Sequence, residues 1–287
     1  MPPLDRDDTP AFGHIVHPTD LTVLSESAFA HALRLALAFK SLLGIVHAAR
    51  PTEDEEPDWA AFPGVRTLLG RWGLLDPDAP RRAVAERLGL RVSKTDIPVA
   101  DPLRALERFF EENRCDLLVL ATHAREGLAR LLHGSIAEAM ARWAQVPTLF
   151  LPPRGRGFVD AGTGAVRLAN ILLPVHAATP PHEAAALALQ IADALERDDA
   201  VLHLLHVGPP EEAPSVSVDA RHARSLRRIS AEGAVVPAIV ETAARIDADL
   251  IVMATHGHDG PLDALRGSMT EQVLRRAERA VLAVPVV

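Results

Sequence analysis

Short apolar runs alternate with longer segments of helical spacing along the whole chain. Ile15–Pro18 is short and apolar and reads as a strand. From Ser25 to Leu43 the apolar positions include Ala28, Ala32, Leu35, Ala36 and Phe39, the spacing of one helix face. Ser25 stands where an N-cap would be. Leu43–Ala48 and Leu90–Ile97 read as the second and third strands, and Pro102–Asn113 as a helix. Leu117–Ala121 is a fourth strand, Ser135–Trp143 a helix and Thr148–Leu151 a fifth strand. The second half follows suit: strands at Ile171–Pro174, Val201–Val207, Ser225–Ile229, Leu250–Ala254 and Val281–Val284, and helices at Glu183–Glu196, Pro237–Arg245 and Ser268–Arg276. Apolar strands separated by helices imply a parallel sheet covered on both faces. Ligands of such sheets sit beyond the carboxyl ends of the strands, where the strand order reverses.

The alternation is a repeat. The segment from Cys115 to Pro152 matches that from Ala248 to Pro285 without a gap, at an offset of 133 residues. Asp-Leu, Ala-Thr-His and Gly-Ser recur in both. His14–Asp20 matches Asn170–His176 at an offset of 156, so the first half carries about 23 extra residues. These fall within Thr52–Arg82, a segment rich in acid and proline. It is expected to be mostly a solvated loop with one short helix, Val65–Trp72. Residues 154–166 are Gly-rich and aperiodic and read as a linker. The expected domains are 1–153, with the insertion at about 52–82, and 167–287.

Composition narrows the function. A chain of 287 residues suggests about two domains. The net charge of −8 argues against nucleic acid as the main partner. With one cysteine, Cys115, neither a disulfide framework nor a thiolate metal cage forms within the chain. Cys115 is expected to be a small buried residue. Tyrosine is absent and aromatics total 4%, which disfavours stacking platforms for single-stranded nucleic acid. No secretory signal and no apolar run of membrane-spanning length is visible, so the expected setting is the cytoplasm, with no membrane partner.

The loop after the fourth strand is where binding chemistry is expected. It runs Ala121-Thr-His123-Ala124, nine residues, then Gly134-Ser135; its repeat runs Ala254-Thr-His256-Gly257, nine residues, then Gly267-Ser268. A Gly-Ser pair opening a helix can cradle an anion, through backbone N–H groups and the helix dipole, or can simply cap the helix. The frame resembles the universal stress protein family, whose signature after the fourth strand is G-x2-G-x9-G-(S/T). Pro18-Thr19-Asp20, the His47-Ala and His206-Val207 ends of strand two, and the Val-Pro near strand five fit as well.

The resemblance implies two tandem five-stranded α/β sandwiches of the adenine-nucleotide α-hydrolase-like, Rossmann-like class, packed as an internal pseudo-dimer through their fifth strands. It implies ATP or AMP as ligand, with Mg accompanying ATP. The residue after strand one (Pro18, Thr19, Asp20; Pro174, Val175, His176) and the end of strand two (His47; Val207) would hold the adenosine. The loop residues, with Arg125, would hold the phosphates. A further homodimer and a regulatory protein partner are compatible with it.

Each half departs from the signature differently. Ala121 and Ala124 replace both glycines of the first loop, and an alanine forced to positive φ costs about 1–2 kcal/mol. In the second half His176 stands where the first has Asp20, and Ala254 replaces one glycine. The first loop carries Arg125 and Arg130 against Glu126; the second carries Asp259 and Asp263 against Arg266. Charge therefore favours the first half. His203 and His206, three apart on a strand, point to opposite faces and do not share a metal. No HxGH-like or SGGxDS-like loop follows strand one. No Ser–His–Asp or paired-carboxylate spacing is evident either. The expected role is stress-linked regulation through an adenine nucleotide, ahead of a nucleotide-free interaction protein, with slow ATP hydrolysis at most.

Overall fold

The structure is a computed structural model; it describes residues 12–22, 25–49, 63–98, 102–122, 146–152, 156–256 and 269–286. Ten strands form one sheet. In the first half they are β1 (His14–Pro18), β2 (Leu42–Ala49), β3 (Arg91–Pro98), β4 (Leu117–Ala121) and β5 (Thr148–Leu151). In the second half they are β6 (Asn170–Pro174), β7 (Val201–Val207), β8 (Leu226–Ala231), β9 (Leu250–His256) and β10 (Ala280–Val286). Their order is β3-β2-β1-β4-β5-β10-β9-β6-β7-β8. Every pairing within a half is parallel. The halves join where β5 pairs antiparallel with β10, Leu149 opposite Leu282. The pseudo-dimer through the fifth strands is thus one continuous sheet. Apolar edges are what make this join favourable: Leu149, Phe150, Val281 and Leu282 are all buried.

Helices cover both faces. On one, α1 (Glu26–Phe39) lies on β1 and β4, and α5 (His182–Ala194) on β9 and β10; the two helices also touch each other. Between them runs a single core from Phe29 and Leu33 to Ala188 and Leu282. The opposite face keeps two smaller cores. One lies under α4 (Pro102–Glu112), and the other under α6 (Val235–Arg245) and α7 (Met269–Arg276). The helix expected at Ser135–Trp143 lies outside the described residues.

Two expectations need correction. The insertion is not mostly a solvated loop where it is described. Residues 63–82 contain α2 (Val65–Arg71), the short helix expected at Val65–Trp72, and a further short helix, α3 (Ala83–Leu88), follows. Val65, Leu68, Leu69, Leu75 and Ala79 are buried in the main core. Its high proline and acid content concealed this apolar minority. Ser25 sits at the start of α1, but its hydroxyl makes no cap bond; it lies 2.8 Å from Thr22 O and 3.0 Å from Asp20 Oδ1.

The linker, too, carries structure that its lack of periodicity hid. Phe158 and Val159 are buried against α1, and the Val159 N–H donates to His31 Nε2 at 2.9 Å. His31 Nδ1 donates to Ser27 O at 2.7 Å, and its ring meets Phe158 edge-on. Burial pushes the His31 pKa down to about 4, so the ring is neutral. A Cβ at Gly157 would collide with that ring. Trp72 donates its indole N–H to Ala161 O at 3.1 Å and packs on Gly164, whose φ of +71° suits glycine. Trp72 is therefore a packing residue; Trp59 and Trp143 lie outside the described residues. Farther along, Arg156, Arg167 and Arg279 converge on Asp247, and the hydrogen bonds from Arg156 and Arg167 hold its carboxyl down to about 2.

Candidate functional site

The repeated residues separate into those that build the sheet and those that face its open end. Asp116 Oδ2 accepts the N–H groups of Gly13 and His14 at 2.8 and 2.9 Å. Asp249 Oδ2 does the same for Ala169 and Asn170, at 2.8 and 3.1 Å. The repeated Asp-Leu thus ties the start of each fourth strand to the start of each first strand. The repeated threonines tie the fourth strand to the fifth: Thr122 Oγ1 donates to Leu151 O, and Thr255 Oγ1 to Val284 O. Cys115 is half-buried and its thiol is pushed up to about 12 by burial, with the Asp116 charge adding to it, so it is protonated at neutral pH.

At the carboxyl ends of the strands the halves share one hydrogen-bonding frame. The Thr19 N–H donates to Val46 O, and the Val175 N–H to Leu205 O. His47 Nδ1 donates to Thr19 O at 2.9 Å, and His206 Nδ1 to Val175 O at 3.4 Å. His206 is therefore the counterpart of His47, while Val207 beside it lines a cleft. Beneath the first site, His17 is fully buried and stacked on Phe29. Its Nδ1 donates to Val119 O, and burial lowers its pKa to about 4 against the pull of Asp20.

Asp20 follows Pro18 and Thr19 and is exposed. Its Oδ1 accepts from Thr22 N, Thr22 Oγ1 and, at 3.0 Å, Ser25 Oγ. These bonds hold Leu21 at φ 60°, a left-handed conformation that costs a residue with a Cβ about 1–2 kcal/mol. A carboxylate oxygen committed to three local donors stabilises the turn first and a ligand second. His176 occupies the equivalent place after Val175 and is exposed; its Nδ1 accepts the Ala178 N–H at 3.2 Å.

The second half holds a cleft of about 140 Å³ where β6 and β9 meet. Of the residues expected to bind, Pro174, Val175, His176, Val207 and Ala254 line it together. Thr179, Leu205, Val235, Ile239, Met253 and Met269 complete the lining. Sequence reading missed these six. The signal for two of them was present: Val235 and Ile239 are four apart on the apolar face of α6. A cavity of this size accommodates about one aromatic ring. β6 sits between β7 and β9, so the strand order reverses at this cleft.

In the first half Ala121 ends β4 and His47 lies near the end of β2. His123, Ala124, Arg125, Gly134, Ser135, Gly257, Gly267 and Ser268 lie outside the described residues. His256 is the last residue of β9. Among the described residues no group of three His, Cys, Asp or Glu could hold a metal ion, and no helix is long and apolar enough to cross a membrane.

Comparisons with known proteins agree with this architecture. The model of the universal stress protein family matches residues 11–152 and 218–285. A universal stress protein of Methanocaldococcus jannaschii is 27% identical over 153 residues, covering 50% of this chain and 84% of that one. Among solved structures, a universal stress protein from Archaeoglobus fulgidus covers 96% of this chain and 97% of its own, with a TM-score of 0.58 and 16% identity. A functionally unknown protein from Pseudomonas aeruginosa has a TM-score of 0.61 at 18% identity, covering 98% of this chain and 95% of its own.

Proposed function

The chain belongs to the universal stress protein family, and from that premise we propose that it is a regulatory protein built from two such domains that binds an adenine nucleotide at the carboxyl ends of its strands. The cleft at the β6/β9 reversal carries this reading. It lies where ligands of open parallel sheets bind, and its apolar walls are sized for a heterocyclic base. Its rim offers His176 and Thr179 as polar contacts, which suits a ligand with an apolar face and a polar edge. The phosphates would lie toward the loop at 257–268 and its Gly-Ser pair. Asp20, Thr19 and His47 form the corresponding frame of the first half, which the arginines of its loop favour for an anion. A nucleotide would act by favouring one arrangement of the loops, which requires unequal affinity for two states.

The test is direct. Purified protein is denatured and its supernatant analysed by chromatography and mass spectrometry, and the untreated protein is titrated calorimetrically with AMP and Mg-ATP. Released ATP or AMP, or saturable binding below millimolar ligand, supports the reading. No released nucleotide together with silent calorimetry at millimolar ligand refutes it and leaves a nucleotide-free interaction protein.

A further inference from the structure

We infer that the segment joining the two halves is an ionic latch that salt opens: a hairpin whose two stems are gripped by Asp247 of the second half, and whose body lies on α1 of the first. The hairpin has its own hydrogen bonds. Val159 and Val166 form an antiparallel bridge. The Asp160 N–H donates to Ala165 O at 2.9 Å, and the Arg167 N–H to Phe158 O at 2.8 Å. Arg156 and Arg167 stand on opposite stems, and each takes a different oxygen of one carboxylate. Arg156 Nη2 donates to Asp247 Oδ1 at 2.5 Å, and Arg167 Nη2 donates to Oδ2. Arg279, next to the start of β10, donates to Oδ1 at 3.3 Å, and the Arg156 N–H donates to Glu278 O at 3.0 Å. One carboxylate thus closes the base of the hairpin and fixes it to the second half.

The repeat separates this carboxylate from the ordinary needs of the domain. The residue 133 positions before Asp247 is Arg114, which pairs with its neighbour Asp116 at 2.7 Å. Asp116 and Asp249 tie the fourth strand to the first in both halves, so the change from Arg114 to Asp247 serves something other than that tie. It reverses the charge in the turn before the fourth strand, and two of the arginines it gathers belong to the hairpin. The body of the hairpin meets the first half instead. Phe158 and Val159 are buried against α1, and Trp72 holds Ala161 and Gly164. The halves are therefore bridged a second time, beyond the short pairing of Thr148–Phe150 with Val281–Ala283. The grip on the second half is ionic and accessible: the Asp247 side chain is 49% exposed and that of Arg167 52%. Pairs this exposed weaken with salt, because the Debye length falls from about 10 Å at 0.1 M to about 3 Å at 1 M. Asp249 keeps a residual hold, its Oδ1 lying 3.3 Å from Arg167 Nε. Neutralising Asp247 thus loosens the hairpin while the fold stands.

Hydrogen exchange of the intact chain, read by mass spectrometry over residues 157–168 and compared with the core strands β1 and β6, tests this. Exchange of a locally opening segment reports how often it opens. In wild type, exchange over 157–168 is expected to quicken several-fold between about 0.1 M and about 1 M NaCl. Asp247→Asn keeps a side chain that tolerates the left-handed backbone of this position, where φ is 51°, and removes the charge. It is expected to exchange about tenfold faster there at the lower salt, since charge-assisted bonds are roughly twice as strong as neutral ones, and to respond little to added salt. Arg114→Gln, at the repeated position, is expected to leave 157–168 unchanged. If Asp247→Asn does not fold, as judged by circular dichroism, Arg167→Gln takes its place with the same expectation. Unchanged exchange over 157–168 in the folded variant overturns the inference. So does a rise of equal size in β1 and β6, which is general destabilisation, or an equal rise in Arg114→Gln. A wild type indifferent to salt overturns it as well.

Discussion

Acid should loosen this protein partly through His31, and the size of the effect follows from its surroundings. His31 is fully buried on α1, with Nδ1 donating to Ser27 O and Nε2 accepting the Val159 N–H. Protonation would turn Nε2 into a donor facing another donor, inside an apolar core. The folded pKa is accordingly lowered to about 4, from about 6.5 in the unfolded chain. Between these values the unfolded state binds a proton that the folded state does not. The stabilising contribution is therefore complete above pH 6.5 and is lost as the pH falls toward 4. One proton of difference gives a slope of about 1.4 kcal/mol per pH unit, or about 3 kcal/mol over the whole window. A typical domain has about 5–15 kcal/mol to lose.

The assay is urea unfolding followed by circular dichroism from pH 7.5 to 4.5, for wild type and His31→Gln. The variant should be less stable at pH 7.5, by about 1–3 kcal/mol, because buried hydrogen bonds are disturbed. Its stability should also fall less steeply below pH 6, by about 1.4 kcal/mol per unit. Every carboxylate and His17, which behaves like His31, is common to both proteins and cancels in the comparison. Parallel curves would show that His31 titrates normally and would refute its account as a buried neutral ring holding the linker to α1.

Two further outcomes probe the packing. Leu68→Ala, in the insertion, should cost about 2–5 kcal/mol in the urea midpoint analysis, since the side chain is wholly buried in the main core; a solvated loop would give less than about 0.5 kcal/mol. Asp249→Ala should cost about 2–4 kcal/mol by the same measurement, because it strips the buried acceptor from the N–H groups of Ala169 and Asn170, while Arg156 and Arg167 keep Asp247 as partner; a loss below about 1 kcal/mol would make the repeated aspartate incidental.

Much of the fold was legible because its signals are local. β4, β5 and β7 were expected at the residues where they occur, since each is a short apolar run between polar breaks. The offset of 133 residues by itself reveals two copies of one unit. The site was legible only in part. Val175, His176, Val207 and Ala254 were named from their places at strand ends, and the cleft does bring them together. Met253 and Leu205 gave no sign, because an apolar strand residue looks alike whether it faces a helix or a cavity. Asp20 was read as a ligand group; its bonds to Thr22 and Ser25 give it a turn to hold as well.

By itself, the sequence determined the two repeats, the parallel α/β class, the −8 charge and the exchange of Asp20 for His176 between the halves. All of these depend on residue identity and short-range periodicity. Only the tertiary structure decided that β5 and β10 pair antiparallel into one ten-stranded sheet. It also decided that Leu68 belongs to the core, and that the Gly-rich linker is stitched to α1 through His31. Those outcomes depend on which apolar surfaces meet across long stretches of chain, and local periodicity carries no record of the partner.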